Sequence, residues 1–437
     1  MVHRTKKVFN VQDIPDIKQR LFSWAKDSSP VSWHDSNEYP HQRREYDAIL
    51  GIGLAHENAQ LSTQKELVQF LGKDWLFGFF SYEYAQDWEC VSPTNPAYLN
   101  IPTLQFFVPE KIWLLKGSTL TALYSGVDDP AVDFIQLKNS ILKIHPQNQA
   151  IDLSPRVSRH QYVKKAQALQ EHILRGDIYE VNYCVEWYAE NIDIQPSSLF
   201  LALNEIAKTP YAAYVNIDDI HLMCASPERF LQRRGNSLKS QPIKGTAARH
   251  LDPILDTAAA QNLKEDSKER SENIMITDLV RNDLSRVAQK GSVTVEEQCV
   301  VYPFAQVHQM ISTITATCDT NTSSLDIINA CFPMGSMTGA PKQRAMELIN
   351  QHENSQRGLY SGAVGYFASN GDFDFNVVIR SLVYDADQRY ISAHVGSALT
   401  AAADVEKEYE ECQLKVKAIK QLLANQPVSP VRYGSKV

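Results

Sequence analysis

This chain of 437 residues lacks long apolar runs, paired cysteines and any excess of positive charge. Each absence removes a class of function. No stretch reaches the roughly 18 apolar residues of a membrane-spanning helix, so no membrane role is expected. The N-terminal MVHRTKKVFNVQDIPDIKQR is basic but has no apolar core of the signal-peptide kind, and the expected compartment is cytoplasmic. Cys90, Cys184, Cys224, Cys299, Cys318, Cys331 and Cys412 form no CxxC and no short Cys/His spacing. That scatter excludes a disulfide framework or zinc site and predicts reduced, buried thiols. Lysine and arginine number 43 against 51 aspartates and glutamates, mixed along the length, for a net charge of −8. With no basic stripe to neutralise phosphates, a nucleic-acid partner is excluded.

What is present is a soluble globular composition, 43% hydrophobic and 22% charged. The length suits one large domain or two or three ordinary ones. Runs at 75–85 (WLFGFFSYEYA), 104–109 and 112–125 predict strands and a hairpin. The segment HPQNQAIDLSPRVS (145–158) is the clearest break between two periodic regions. Beyond it a helix is predicted over 159–177, then strands over 180–189, 211–217 and 221–226. A helix follows over roughly 258–289, with strands near 293–301 and over 309–318, 361–368, 375–385 and 390–399. A helix over 406–424 closes the pattern, and the tail 427–437 reads as frayed. Clustered strands and helices without strict βαβ alternation predict an α+β fold with large antiparallel or mixed sheets.

Several patterns carry chemistry. Glu265, Glu269 and Glu272 fall on one face of the helix predicted there, and Glu408 and Glu411 repeat the device on the last helix, with Lys415 four beyond. Two such faces meeting across a cleft would suit Mg2+, which prefers few carboxylates completed by water and a substrate anion. Each face alone equally suits a solvated helix surface. The segments SPERFLQRR (226–234) and QPIKGTAAR (241–249) flank a hairpin turn at Gly235 and Asn236, with Glu228 and Lys244 at comparable heights on its arms. Lys244 is a candidate nucleophile if burial lowers its pKa, or a surface lysine in a Pro-Gly turn. FPMGSMTGAPK places two glycines before Pro341 at a helix start, where backbone N–H groups and Lys342 would suit an anion; an ordinary capped helix reads the same. Tyr360 and Arg380 add a hydroxyl and a bidentate carboxylate donor.

Together and in this order, GDIYEVN, SPERF, PIKGTAAR, KERSENIMITDLVRNDL, FPMGSMTGAPK, RGLYSGAVGYF, DFNVVIRS and EKEYEECQLK resemble the chorismate-utilising enzymes. That family includes anthranilate synthase component I, aminodeoxychorismate synthase component I, and the isochorismate and salicylate synthases. The resemblance covers about 155–425, and 1–150 match more weakly, mainly through WLFGFFSYEYA. It implies an α+β fold of two large, mostly antiparallel sheets in a sandwich, with helices outside and the active site in the cleft between sheets. A catalytic domain over 155–425 would pack intimately with an N-terminal region over 1–150. Glu272 and Glu411 would be Mg2+ ligands, with Glu269 and Glu408 ordering bound water. Thr246, Tyr360, Arg380, Lys415 and backbone N–H groups near Gly396 would contact chorismate.

One residue divides the family. Anthranilate synthases resemble PIAGT at the lysine motif, and aminodeoxychorismate synthases resemble PIKGT, so Lys244 favours the second. The implied chemistry is attack of Lys244 on ring carbon 2 while Glu228 protonates the departing 4-hydroxyl, then displacement of the lysine by ammonia at carbon 4. The chain has no glutaminase nucleophile of the GxCxG kind, which implies a separate glutamine amidotransferase partner. A further lyase would release pyruvate to give 4-aminobenzoate for folate synthesis. The alternatives are an anthranilate synthase component I and a non-catalytic, chorismate-binding paralogue. Two departures stand out: Gln309 replaces the second His of the family's VHHLVS, and Glu180 replaces the usual Gln of GDIYEVN.

Overall fold

A computed structural model describes residues 3–39, 45–85, 92–140 and 150–425. Alternation along the apolar strands decides the architecture. In Tyr211–Ile217, Ala212 and Tyr214 join one hydrophobic cluster while Ala213 and Val215 join another. In Leu76–Phe80, Phe77 and Phe79 face that second cluster, and Leu76 and Phe80 face a third. Strands buried on both faces belong to sheets covered on both sides. The shared cluster is the seam between two sheets, and the outer faces are closed by helices such as Arg159–Leu174, Val405–Leu423 and Ser267–Ser285.

The first sheet has 12 strands among the described residues. It runs from Thr5–Asn10 through Thr119–Tyr124, Pro109–Lys116, Ala48–Leu54 and Val31–Asp35 to Tyr211–Ile217, Ile220–Ser226, Ser381–Asp385, Tyr390–Leu399, Glu180–Ala189 and the short Gly339–Ala340, with Ser154–Pro155 also paired to Glu180–Ala189. The second has 10. It runs from Ile243–Ala248 through Val307–Thr317, Ser237–Gln241, Arg229–Arg234, Phe373–Val377 and Ala363–Phe367 to Leu76–Phe80, Leu104–Phe107 and Gln60–Leu61, with Thr294–Pro303 also paired to Val307–Thr317. Residues before 140 enter both sheets by antiparallel pairing with later strands: Val31–Asp35 on Tyr211–Ile217, and Leu76–Phe80 on Ala363–Phe367. The α+β sandwich expected from the sequence is what forms.

Two predicted elements divide. The helix expected over 258–289 is two helices, Pro253–Glu265 and Ser267–Ser285, separated at Asp266. Asp266 takes an extended conformation, ends the first helix and caps the second by accepting from the Lys268 and Glu269 amides. The strand expected over 375–385 breaks between Val377 and Ser381, and its halves lie in different sheets. Cys184, Cys224, Cys299, Cys318, Cys331 and Cys412 are buried; Cys90, residues 145–149 of the expected break and the tail lie outside the described residues. Among the described residues no helix is long and apolar enough to cross a membrane.

Candidate active site

Two places where the chain crosses from one sheet to the other build the floor of a cleft. Pro227 and Glu228 link Ile220–Ser226 to Arg229–Arg234, and Val378–Arg380 link Phe373–Val377 to Ser381–Asp385. The crossings are hydrogen-bonded to each other's surroundings: the Val377 amide donates to the Glu228 carbonyl (3.1 Å) and the Ala225 amide to the Arg380 carbonyl (3.4 Å). Arg380 sits at φ 52°, a left-handed conformation that a non-glycine residue adopts only when its surroundings impose it. Sequence reading placed it inside a strand; the turn between sheets is what presents it to the cleft.

The cleft holds a cavity open to solvent. Every residue that the family resemblance assigned to the site lines it: Glu228, Lys244, Thr246, Glu269, Glu272, Tyr360, Arg380, Gly396, Glu408, Glu411 and Lys415. Lys244 lies where the pairing of Ile243–Ala248 with Val307–Thr317 shifts register, between Ile243 and Thr246. Such an irregularity re-aims side chains. Gly245 there has φ +96°, and a Cβ would stand 3.2 Å from that of Met310.

The Lys244 ammonium is paired with a carboxylate that sequence reading flagged without assigning. Lys244 Nζ stands 2.6 Å from Glu180 Oε1, with side-chain exposures of 13% and 1%. Burial works against the charge on Lys244, but the carboxylates of Glu180 and Glu272 outweigh it and hold the amine above lysine's ordinary value. The condition set from the sequence, a pKa lowered by burial, is thus not met in this resting pair. Glu228 behaves oppositely: burial pushes it up to about 7, against the Ser336 hydroxyl that donates to its Oε1 at 2.7 Å and the charge of Lys244. An acid that keeps its proton near neutrality and an amine held charged by a different carboxylate therefore share one cavity.

The four glutamates come from the N-terminal turns of two helices capped by Asp266 and Asp404. Burial, reinforced by neighbouring carboxylates, raises Glu269 and Glu272 and brings Glu408 to about 7; for Glu411 the adjacent Lys415, 2.7 Å away, prevails and the shift is downward. Carboxylates that raise one another are a site short of positive charge. The Lys268 ammonium partly answers that, 3.7 Å from Glu272 and 3.8 Å from Glu408. Among the described residues no three His, Cys, Asp or Glu side chains converge closely enough to cage a metal. The donor set fits a hard cation held by one or two carboxylates and completed by water and a ligand anion, the way Mg2+ is usually bound.

The remaining candidates differ in outcome. Lys415 also donates to the Gly396 carbonyl at 2.7 Å, and a Cβ on Gly396 would meet Cys184 Sγ at 2.6 Å. The Tyr360 ring stacks on His394 with centroids 5.4 Å apart. Thr246 Oγ1 donates to Gln309 Oε1 at 3.1 Å, while the buried Gln309 Nε2 has no hydrogen-bond partner among the described residues. Two readings fail. Lys342 points into the core, where it pairs with Asp283 at 2.7 Å and donates to the Cys331 carbonyl. Glu265 ends the preceding helix, exposed and bonded to Gln261. Sequence reading missed Lys268, Ser336, Asn182 and His394 as lining residues. Of these only Lys268, four positions before Glu272, carried a local signal.

Comparison with known proteins is consistent with this geometry. The family model for chorismate binding enzyme matches residues 21–421. The chain is similar to chloroplastic aminodeoxychorismate synthase of Arabidopsis thaliana, 35% identical over 432 residues covering 92% of this chain and 47% of that one. It therefore spans about half the length of that relative. It is 33% identical to aminodeoxychorismate synthase component 1 of Klebsiella aerogenes over 370 residues, 84% of this chain and 80% of that one. In fold it is similar to the menaquinone-specific isochorismate synthase of Escherichia coli, with TM-score 0.74 and 16% identity over 97% of this chain and 95% of that one.

Proposed function

The chain belongs to the chorismate-binding enzymes, and from that premise we propose that it aminates chorismate at ring carbon 4, giving 4-amino-4-deoxychorismate. The observation that supports this reading best is Lys244, an amine on the wall of the cavity that Glu228 also lines. The lone pair of Lys244 attacks ring carbon 2, the two ring double bonds shift, and the carbon 4–oxygen bond breaks as Glu228 delivers its proton. Water leaves. Ammonia then attacks carbon 4, the double bonds shift back and the bond to lysine breaks. Two allylic displacements replace one awkward substitution, the usual gain from a covalent intermediate. A Glu228 held near 7 retains a useful share of its proton at neutral pH.

The carboxylates of Glu272 and Glu411 would hold Mg2+, with Glu269 and Glu408 ordering its water; when bound, the cation supplies positive charge to the ring carboxylate. Tyr360, Arg380, Lys415, Thr246 and the backbone at Gly396 would meet the other polar groups of the substrate. Gln309 in place of a titratable histidine suits a product that keeps its pyruvyl group. Ammonia would come from glutamine through a separate amidotransferase chain, and a lyase would take the product on to 4-aminobenzoate for folate synthesis.

The test is a product assay with purified protein, chorismate, Mg2+ and an ammonium salt, read by liquid chromatography and mass spectrometry. The expected product retains the pyruvyl group and yields 4-aminobenzoate only after a lyase is added. Anthranilate formed without a lyase would overturn the assignment in favour of an anthranilate synthase. Chorismate that binds but is never consumed would leave a binding protein.

A further inference from the structure

A lysine that must act as a nucleophile starts here as an ammonium ion, and nothing in the chemistry above removes its proton. Glu228 is committed to the opposite task, giving a proton to the leaving hydroxyl. Another carboxylate, buried, is in contact with the amine. Glu180 stands at the head of Glu180–Ala189, beside the two-residue strand Gly339–Ala340 that pairs with it. Its side chain is 1% exposed, and its Oε1 lies 2.6 Å from Lys244 Nζ. Its Oε2 is buried with no hydrogen-bond partner among the described residues. A carboxylate fed by several donors is a poor proton acceptor, because its lone pairs are already stabilised. Among the described residues the Glu180 carboxylate has one polar contact, and that contact is the proton to be moved.

We propose that Glu180 is the catalytic base that takes the proton of Lys244 before attack and returns it when the lysine is expelled, an inference that rests on the covalent reading of Lys244. The balance closes over a turnover. The Lys244 ammonium and Glu180 carboxylate become an amine and a carboxylic acid, so two buried charges neutralise each other. The amine forms its bond to carbon 2 and becomes a secondary ammonium, while Glu228 gives its proton to the departing hydroxyl and becomes a carboxylate. When ammonia bonds at carbon 4, the lysine leaves as a neutral amine and recovers its proton from Glu180. The new ammonium at carbon 4 returns a proton to Glu228. No outside acid, base or oxidant is needed.

The experiment follows the Lys244 adduct by rapid quench and intact mass, with chorismate and Mg2+ present and ammonia absent. The parent chain is compared with Glu180→Gln, which keeps the shape but loses the basicity, and with Glu180→Asp, which keeps a base one methylene short. Adduct formation should slow by about 10²-fold or more in Glu180→Gln, the usual contribution of a positioned base. Glu180→Asp should recover at least part of that loss. Chorismate binding, read by calorimetry, should stay within a few-fold of the parent in both. An adduct formed by Glu180→Gln at the parent's rate overturns the role of Glu180 and leaves the covalent reading standing. A Glu180→Gln chain that loses its fold or its chorismate binding overturns it in favour of a structural role. A parent chain that never forms the adduct sinks the covalent reading and this inference together.

Discussion

Two buried cation–carboxylate pairs lie on either side of Asn182, and they are built for different ends. Behind the cavity, Arg357 and Glu353 are bonded to saturation. Glu353 accepts from Arg357 Nη2 at 2.6 Å, from Arg357 Nε at 2.9 Å and from the Cys184 amide at 2.9 Å. The rest of the guanidinium donates to the Met337 and Asn182 carbonyls and Ser361, and its plane lies 4.5 Å from the Tyr82 ring. Lys244, which lines the cavity, and the buried Glu180 share one contact, and the second oxygen of Glu180 has no hydrogen-bond partner among the described residues. Saturation makes the first pair a fixture that ties Tyr82, the strand carrying Asn182 and the loop of Met337 together. The undersupplied pair keeps its proton transferable.

The comparison breaks most decisively through Lys244. Lys244→Ala should lose product formation by about 10⁴-fold or more, as removal of a covalent nucleophile does. Its stability should fall less, because removing the Lys244 side chain, which lines the cavity, opens the Glu180 carboxylate to the water there. Arg357→Ala should do the reverse in the melting experiment, losing about 3–5 kcal/mol, the cost of stranding one partner of a buried pair. Denaturant unfolding of both variants checks this; equal destabilisation would erase the distinction between the pairs.

Glu228 sharpens the same contrast through pH. Its folded pKa near 7 lies above the ordinary carboxylate value because it is buried. The general acid proposed above works in its protonated form, so kcat/KM for chorismate should decline as pH rises above about 7 if Glu228 has that role. For stability, a carboxyl whose folded pKa is raised favours the fold at low pH, and that contribution is lost as pH climbs through 7. Glu228→Gln should therefore lose activity by about 10²–10⁴-fold. It should also gain stability relative to the parent above pH 7, by at most about 3 kcal/mol. A parent–variant difference that stays flat between pH 5 and pH 8.5, the span bracketing that titration, would show that Glu228 does not titrate as its burial implies.

How far the sequence carries this picture depends on whether a feature is local. Strand runs such as Tyr211–Ile217 are legible because their apolar residues need burial on both faces, and Asp404 before Val405–Leu423 marks its own helix start. Sheet membership is not legible: FNVVIRSLVYD reads as one strand, yet Arg380 turns the chain from one sheet into the other. The residues of the site lay within long motifs, so their gathering around one cavity followed the resemblance. The environment of Lys244 did not. Glu180 reaches it only because strands of different sheets meet at the cleft, and that contact helps hold the lysine's pKa above its ordinary value.

The carboxylates farther along the cavity are tested by one large effect and one small one. Glu272→Gln should abolish the Mg2+-dependent activity with the fold intact, and retained activity with unchanged Mg2+ dependence would remove Glu272 from the metal site. Lys268 tests the same place more finely. Its ammonium stands 3.7 Å from Glu272 and 3.8 Å from Glu408, where it supplies the positive charge that those groups lack. A divalent cation bound to Glu272 and Glu411 would have to share Glu272 with it. The side chain is 45% exposed, so solvent screens the competition and its worth is about 0.2–1 kcal/mol. Lys268→Met should therefore lower the half-saturating Mg2+ concentration by about 2–5-fold, with kcat nearly unchanged. A higher half-saturating concentration would mean that Lys268 holds the carboxylates in position for the metal instead of competing with it.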